Sequence, residues 1–115
     1  MSEIILIKNP IPLESLKKIA EERFSDLVKA VVDIKLKIMA IGGAMHADEE
    51  KLLLEEGASQ DDLWGINIYP DSPKDTWIEF DSMINIRPRQ KNRSRSVENI
   101  KTQEEIVSIV NHLVS

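Results

Sequence analysis

The chain has 115 residues, 42% of them apolar and 30% charged, a balance that suits a soluble globular domain and excludes a disordered chain. That length is one ordinary domain, residues 1–115, and the absence of Cys excludes a disulfide framework and thiolate metal sites, which fits a cytoplasmic protein. No apolar run approaches a membrane span, the N-terminus lacks a signal-peptide pattern, and a net charge of −5 argues against a broadly nucleic-acid-binding surface.

Residues 3–7 read as a short strand. Asn9-Pro10-Ile11-Pro12 then turns the chain and delivers Pro12 near the first position of a helix, in which Leu13, Leu16, Ile19 and Ala20 recur at helical spacing. From 28 to 40 the period changes: Val28, Ala30, Val32, Ile34, Leu36, Ile38 and Ala40 alternate with residues that include Lys29, Asp33, Lys35 and Lys37. This predicts one long half-buried strand that ends at Gly42-Gly43. A helix follows over 47–56, anchored by Leu52, Leu53 and Leu54, with His46 or Asp48 as its cap, acids in its first turn and Gly57 as its stop.

Ser59-Gln60-Asp61-Asp62 has the spacing of a capping box and predicts one helical turn. Trp64, Ile66 and Ile68 then alternate with Gly65, Asn67 and Tyr69. After the loop 70–75, Ile78, Phe80, Ile84 and Ile86 alternate with Glu79, Asp81 and Asn85, which reads as a hairpin with an interruption at Ser82. Thr102 and Glu105 form a capping box ahead of a closing helix that carries Ile106, Val107, Ile109, Val110 and Leu113. The order β-α-β-α-β-β-α predicts an α+β two-layer sandwich with helices on one face of a mixed or mainly antiparallel sheet. The open face would present Lys35, Lys37, Asn67, Tyr69, Glu79, Asp81, Asn85 and Arg87.

The segment Ile84 to Ser96, INIRPRQKNRSRS, places Arg87, Arg89, Lys91, Arg93 and Arg95 at every second position with no acid among them. In an extended chain these cations form one stripe that suits carboxylates or phosphates, with Asn85, Asn92 and Ser94 as neutral donors and Asn67 and Tyr69 beside them. Acids gather upstream between Asp48 and Asp62. Three uses of the stripe compete. It folds onto the protein's own acidic tract; it binds a phosphate-bearing partner, a small molecule or nucleic acid; or it docks on the acidic tract of a second copy in a homo-oligomer.

An enzyme is a further alternative, a hydrolase or metal-dependent one that uses His46 with Asp48 or Glu50, since His46 and Glu50 stand at i, i+4. The chain has no H-E-x-x-H, no G-x-S-x-G and neither G-x-G-x-x-G nor a Walker pattern, so no cofactor and no metal are predicted.

Three ordered runs carry a resemblance: Ile41-Gly42-Gly43-Ala44-Met45-His46-Ala47-Asp48; Asp62-Leu63-Trp64-Gly65-Ile66-Asn67-Ile68-Tyr69-Pro70; and Ile84-Asn85-Ile86-Arg87-Pro88 with Asn92-Arg93-Ser94. With these motifs the chain resembles a small prokaryotic single-domain family of unknown function. The resemblance implies a stand-alone cytosolic protein and supplies no catalytic residue. It selects His46, Asp48, Trp64, Asn67, Tyr69, Asn85, Arg87, Asn92, Arg93 and Ser94 as motif positions expected to gather near one end of the sheet.

Overall fold

A computed structural model describes residues 3–115. Strand β1 (Ile5–Ile7) leads through Pro12 into helix α1 (Leu13–Arg23); β2 (Val28–Asp33) and β3 (Ile38–Ile41) follow, then α2 (His46–Glu55), β4 (Leu63–Ile68), β5 (Ile78–Glu79) and α3 (Ile100–Leu113). All strand pairs are antiparallel and the sheet order is β1-β3-β2-β4-β5. The protein is therefore α+β with an antiparallel sheet.

The predicted strand over 28–40 is a hairpin. Val28–Asp33 pairs with Ile38–Ile41, and residues 34–37 form the turn. Its chemistry sits in Asp33: Oδ1 accepts the N–H groups of Lys35 (2.9 Å) and Leu36 (3.0 Å), and its carbonyl accepts that of Lys37 (2.9 Å). Lys37 takes the left-handed conformation at φ 58°. Because the apolar alternation runs unbroken through a turn without Gly, Pro or Asn, period alone reads it as strand. Lys35 and Lys37 thus belong to the turn and not to the open face.

The helices do not share one face, which corrects the two-layer expectation. Leu16 and Ala20 of α1 and Ile106, Ile109, Val110 and Leu113 of α3 pack with Val28, Ala30, Val32, Met39, Ile41, Ile66 and Ile68 in the main core. On the opposite face Leu53 of α2 forms a second cluster with Val31, Ala40 and Leu63. Every residue of β4 is buried, as are five of the six in β2. A central strand whose two alternations are both apolar demands cover on both sides, and a fully buried Leu contributes about 1.5–3 kcal/mol toward it.

The second half of the predicted hairpin is also short. Pairing with β4 covers only Glu79 and Ile78, and residues 83–85 form a 3₁₀ turn whose start is capped by Ser82 Oγ on the Ile84 N–H. Two helix starts differ from expectation as well. Asn99 caps α3 through Oδ1 on the Thr102 N–H (3.1 Å), a turn earlier than the Thr102 box. Met45 occupies the cap position of α2 with no side-chain cap, in place of His46 or Asp48.

Candidate functional site

The basic segment folds into the protein. Asn85 is fully buried, and its side-chain amide stands in for a strand residue beside β4: Oδ1 accepts the Gly65 N–H (2.8 Å), while Nδ2 donates to the carbonyls of Gly65 (2.9 Å) and Arg95 (2.9 Å). Gly65 is required here, since a Cβ would lie 2.6 Å from the Ser82 side chain and 3.2 Å from Ile84. Asn92, also buried, donates through Nδ2 to the carbonyls of Asn85 (2.7 Å) and Ser96 (2.7 Å), and its Oδ1 accepts the Glu98 N–H (2.8 Å). Arg87 and Asn92 exchange backbone hydrogen bonds around the 3₁₀ turn Pro88–Gln90, and Lys91 is left-handed at φ 60°.

This geometry breaks the stripe. Arg87 turns inward, 6% exposed, donates to the carbonyls of Gln60 and Leu63, and lies 4.2 Å from the Trp64 ring centroid. Burial holds its pKa below the usual arginine value. Arg89 pairs with Asp61 at 2.7 Å and reaches Gln60 Oε1. Lys91 and Arg93 are exposed; Ser94 is held by Glu98, whose Oε2 accepts the Ser94 hydroxyl (2.7 Å) and the N–H groups of Arg93 and Ser94. These hydrogen bonds, Ser94 Oγ first, keep the Glu98 carboxyl below its ordinary range. Of the segment's cations, Arg89 pairs with an acid of the chain's own 48–62 tract, while Arg87 bonds the backbone carbonyls of Gln60 and Leu63 at its end.

Arg95 leaves on the other side. Its carbonyl is pinned by the Ser82 N–H (3.0 Å) and by Asn85, and its Nε meets Asp81 Oδ1 at 2.5 Å, while its terminal amino groups make no hydrogen bond among the described residues. There it borders a recess of about 200 Å³ lined by Lys29 of β2, Ala44 to Ala47 at the start of α2, Ser82 to Ile84, and Arg95. Met45 (59% exposed) and Met83 (64%) stand at its rim. Lys29 belongs to a cross-strand row, Lys29↔Asn67↔Glu79, in which Asn67 is buried and Glu79 exposed. In that row Asn67 Nδ2 (2.8 Å) and Tyr69 Oη (3.1 Å) both donate to Glu79 Oε1. Burial, then the Glu79 hydrogen bond, push the Tyr69 phenol up.

Two titratable groups of α2 behave unlike surface residues. His46 is 9% exposed and its Nε2 lies 2.8 Å from the Ile66 carbonyl, which can only accept; Nε2 therefore carries the proton and Nδ1 the lone pair. Burial lowers its pKa, the Ile66 hydrogen bond opposes that, and Lys29 and Arg95 lower it while Asp81 raises it. Glu49 is fully buried, accepts the Gly43 N–H at Oε2 (2.8 Å), and is pushed by burial up to about 9, so it is an uncharged acid at neutral pH. A Cβ on Gly43 would sit 2.9 Å from its side chain, which explains that glycine.

Glu50 acts on Arg87, and Asp48 is exposed. Neither makes a hydrogen bond or ion pair with His46 among the described residues, where Nε2 goes to the Ile66 carbonyl, so the expected i, i+4 pair does not form. Among the described residues no group of three or more His, Asp or Glu side chains converges as a metal site. A wider groove of about 780 Å³ lies between α3 and the β2–β3 turn, lined by charges of both signs, Lys37 and Lys101 with Glu104 and Glu105.

Of the residues expected at a ligand site, the fold places Arg95 in the lining of the recess, joins Asn67 and Tyr69 through Glu79, holds Asn85, Arg87 and Asn92 inside, and leaves Arg89, Lys91, Arg93 and Ser94 exposed outside that lining. Lys29, Ser82 and Met83 went unremarked as site residues, because only the register Lys29↔Asn67 and the 3₁₀ turn bring them together. In class, the fold and recess define a small antiparallel α+β protein with a cationic, histidine-containing notch at a helix start. The chain belongs to the family described as protein of unknown function (DUF5674), whose model matches residues 5–113. No curated protein and no solved structure matches it. No helix among the described residues is long and apolar enough to cross a membrane.

Proposed function

We propose that the protein is a binding module for a small oxyanion, a phosphate- or carboxylate-bearing molecule, with the recess at the start of α2 as its site. The observation that carries this reading is the convergence of Lys29, His46 and Arg95, from three separate elements, on one recess of about 200 Å³. The uncapped first turn of α2 adds free N–H groups and the positive end of the helix dipole. Asp81 fixes Arg95 through Nε and leaves its terminal fork toward solvent. The neutrality of Glu49 removes one of the acids that would repel an anion here. A recess this small takes a head group and not a polymer, and the cations of 87–95 point to different sides, so a single small molecule fits better than a nucleic-acid backbone.

A thermal-shift series at low salt with sulfate, inorganic phosphate, pyrophosphate and small carboxylates tests it, with Lys29→Ala/Arg95→Ala in parallel. At ten times the dissociation constant an anion stabilises the native state by about 1.4 kcal/mol, a rise of several degrees in Tm. The double variant is expected to lose that rise. If none of the anions moves the wild-type Tm at tens of millimolar, or if the variant responds equally, the reading is wrong.

A further inference from the structure

The imidazole of His46 is oriented by a group that cannot titrate. Its Nε2–H donates to the Ile66 carbonyl in the middle of β4, which fixes both ring plane and tautomer and leaves Nδ1 as the lone-pair atom. Nδ1 makes no hydrogen bond among the described residues, and His46 lines the recess with 9% of its surface exposed. Within that recess Lys29 and Arg95 supply the fixed positive charge. A neutral nitrogen with a directed lone pair beside two cations is poorly used by an anion, which needs donors.

We propose that the recess takes up a proton together with its anion: His46 Nδ1 is protonated from solvent as a tetrahedral oxyanion binds, and the new N–H donates to it. Only the Nδ1–H bond forms, and the Nε2–H bond to Ile66 is kept. This rests on the anion-site reading above and adds its regulation: capture strengthens as pH falls.

The electrostatics explain the coupling. Without a ligand, Lys29 from β2 and Arg95 from the loop before α3 disfavour a charged imidazole, Asp81 favours it, and the dipole of α2 disfavours it at the helix start. Glu49, the buried carboxyl of the same helix, is held neutral by burial. A dianion between Lys29 and Arg95 offsets both cations and stands against Nδ1, so the balance reverses and the folded pKa of His46 rises on binding. By linkage, affinity is flat below the pKa of the free protein and weakens by up to tenfold per pH unit above it, until the pKa of the complex is passed.

Sulfate is the probe, because it does not titrate near neutrality and any proton taken up belongs to the protein. Titration calorimetry at pH 6, 7 and 8, in two buffers of different ionisation heat, reads the affinity and the number of protons bound. Wild type is expected to bind up to tenfold more weakly per pH unit over part of this range, with uptake approaching one proton. His46→Gln, whose amide can still donate to Ile66, is expected to bind with no pH dependence and no buffer-dependent heat. Sulfate binding that is independent of pH and buffer in wild type overturns the proton coupling and leaves the anion site standing; an absence of sulfate binding at every pH removes both. Should His46→Gln not fold, ¹⁵N-histidine spectra of the wild type decide: on sulfate addition Nδ1 must move from an unprotonated to a protonated position, and an unmoved Nδ1 refutes the inference.

Discussion

Glu49 carries a carboxyl group into an apolar layer, and the cost falls on its charge. With a folded pKa of about 9 against an ordinary 4.5, the native state holds a proton that the unfolded chain has released between those values. The sign follows: stability associated with this group is fully present below about pH 4.5 and falls as pH rises toward 9. Glu49→Gln keeps the shape and the acceptor for the Gly43 N–H without the ionisation. It is expected to raise stability at pH 7 by an amount on the order of 3 kcal/mol at most, and to flatten the decline between pH 6 and 9 in urea denaturation. A variant less stable than wild type at pH 8 would show that the carboxyl is charged in the native state.

A second residue-scale test concerns Gly65. Its missing Cβ lets Ser82 approach the sheet, so Gly65→Ala is expected to cost about 1–3 kcal/mol by overpacking, and Ser82→Gly in the same chain to recover part of it. Simple additivity of the two substitutions would mean that the close approach is not what selects glycine. Neither site is legible from one-dimensional pattern: Gly65 reads as one more polar position of an alternating strand, and Glu49 as one more acid in a helical first turn. Gly65 takes its meaning from Ser82 on another segment, and Glu49 takes its own from burial where α2 packs on β2 and β3.

Among the elements, the 85–95 segment departs furthest from its sequence pattern. Alternation predicts strand through Ile86 and one row of cations if the chain stays extended beyond Pro88, but side chains outcompete the ladder. The Asn85 amide satisfies the Gly65 N–H and C=O, and Asn92 satisfies the carbonyls left behind, so the backbone is free to turn at Pro88 and Lys91. Arg87 closes the loop onto the 60–63 segment. Arg87→Ala removes the donor to the buried Leu63 carbonyl and a second donor from the Gln60 carbonyl, and is expected to destabilise by about 2 kcal/mol, with the same loss in 0.5 M salt. Arg89→Ala, which removes an exposed pair with Asp61, is expected to cost less than about 1 kcal/mol, and that cost should vanish in salt. Equal losses for the two would contradict this division. The α1 start at Pro12 and the single turn at Gln60–Asp62 lie where local signals put them, because Pro geometry and Asp-rich turns act within a few residues.

At the scale of the whole molecule, charge segregated along the sequence is recombined in space. The acidic 48–62 tract receives Arg87 and Arg89, and Asp81 receives Arg95. The recess lined by Lys29, His46 and Arg95 is where we propose the anion site, in preference to the basic segment, because there cations from separate elements meet.

The sequence by itself determined the α+β class, the rough order of the main helices and strands, most apolar residues of the core, Trp77 and Val97 excepted, and the presence of one unusually basic segment. These follow from periodicity and composition, which are local. Only the tertiary structure decided that 28–40 is a hairpin, that α2 covers the face opposite α1 and α3, and that Asn85 and Arg87 point inward. It also decided which residues meet: Lys29, His46, Ser82 and Arg95 are separated by up to 66 positions and are joined by strand register and by side-chain hydrogen bonds across the sheet. Those contacts depend on which surfaces remain to be buried once the sheet has formed, a property of the assembled chain that no short window of it contains.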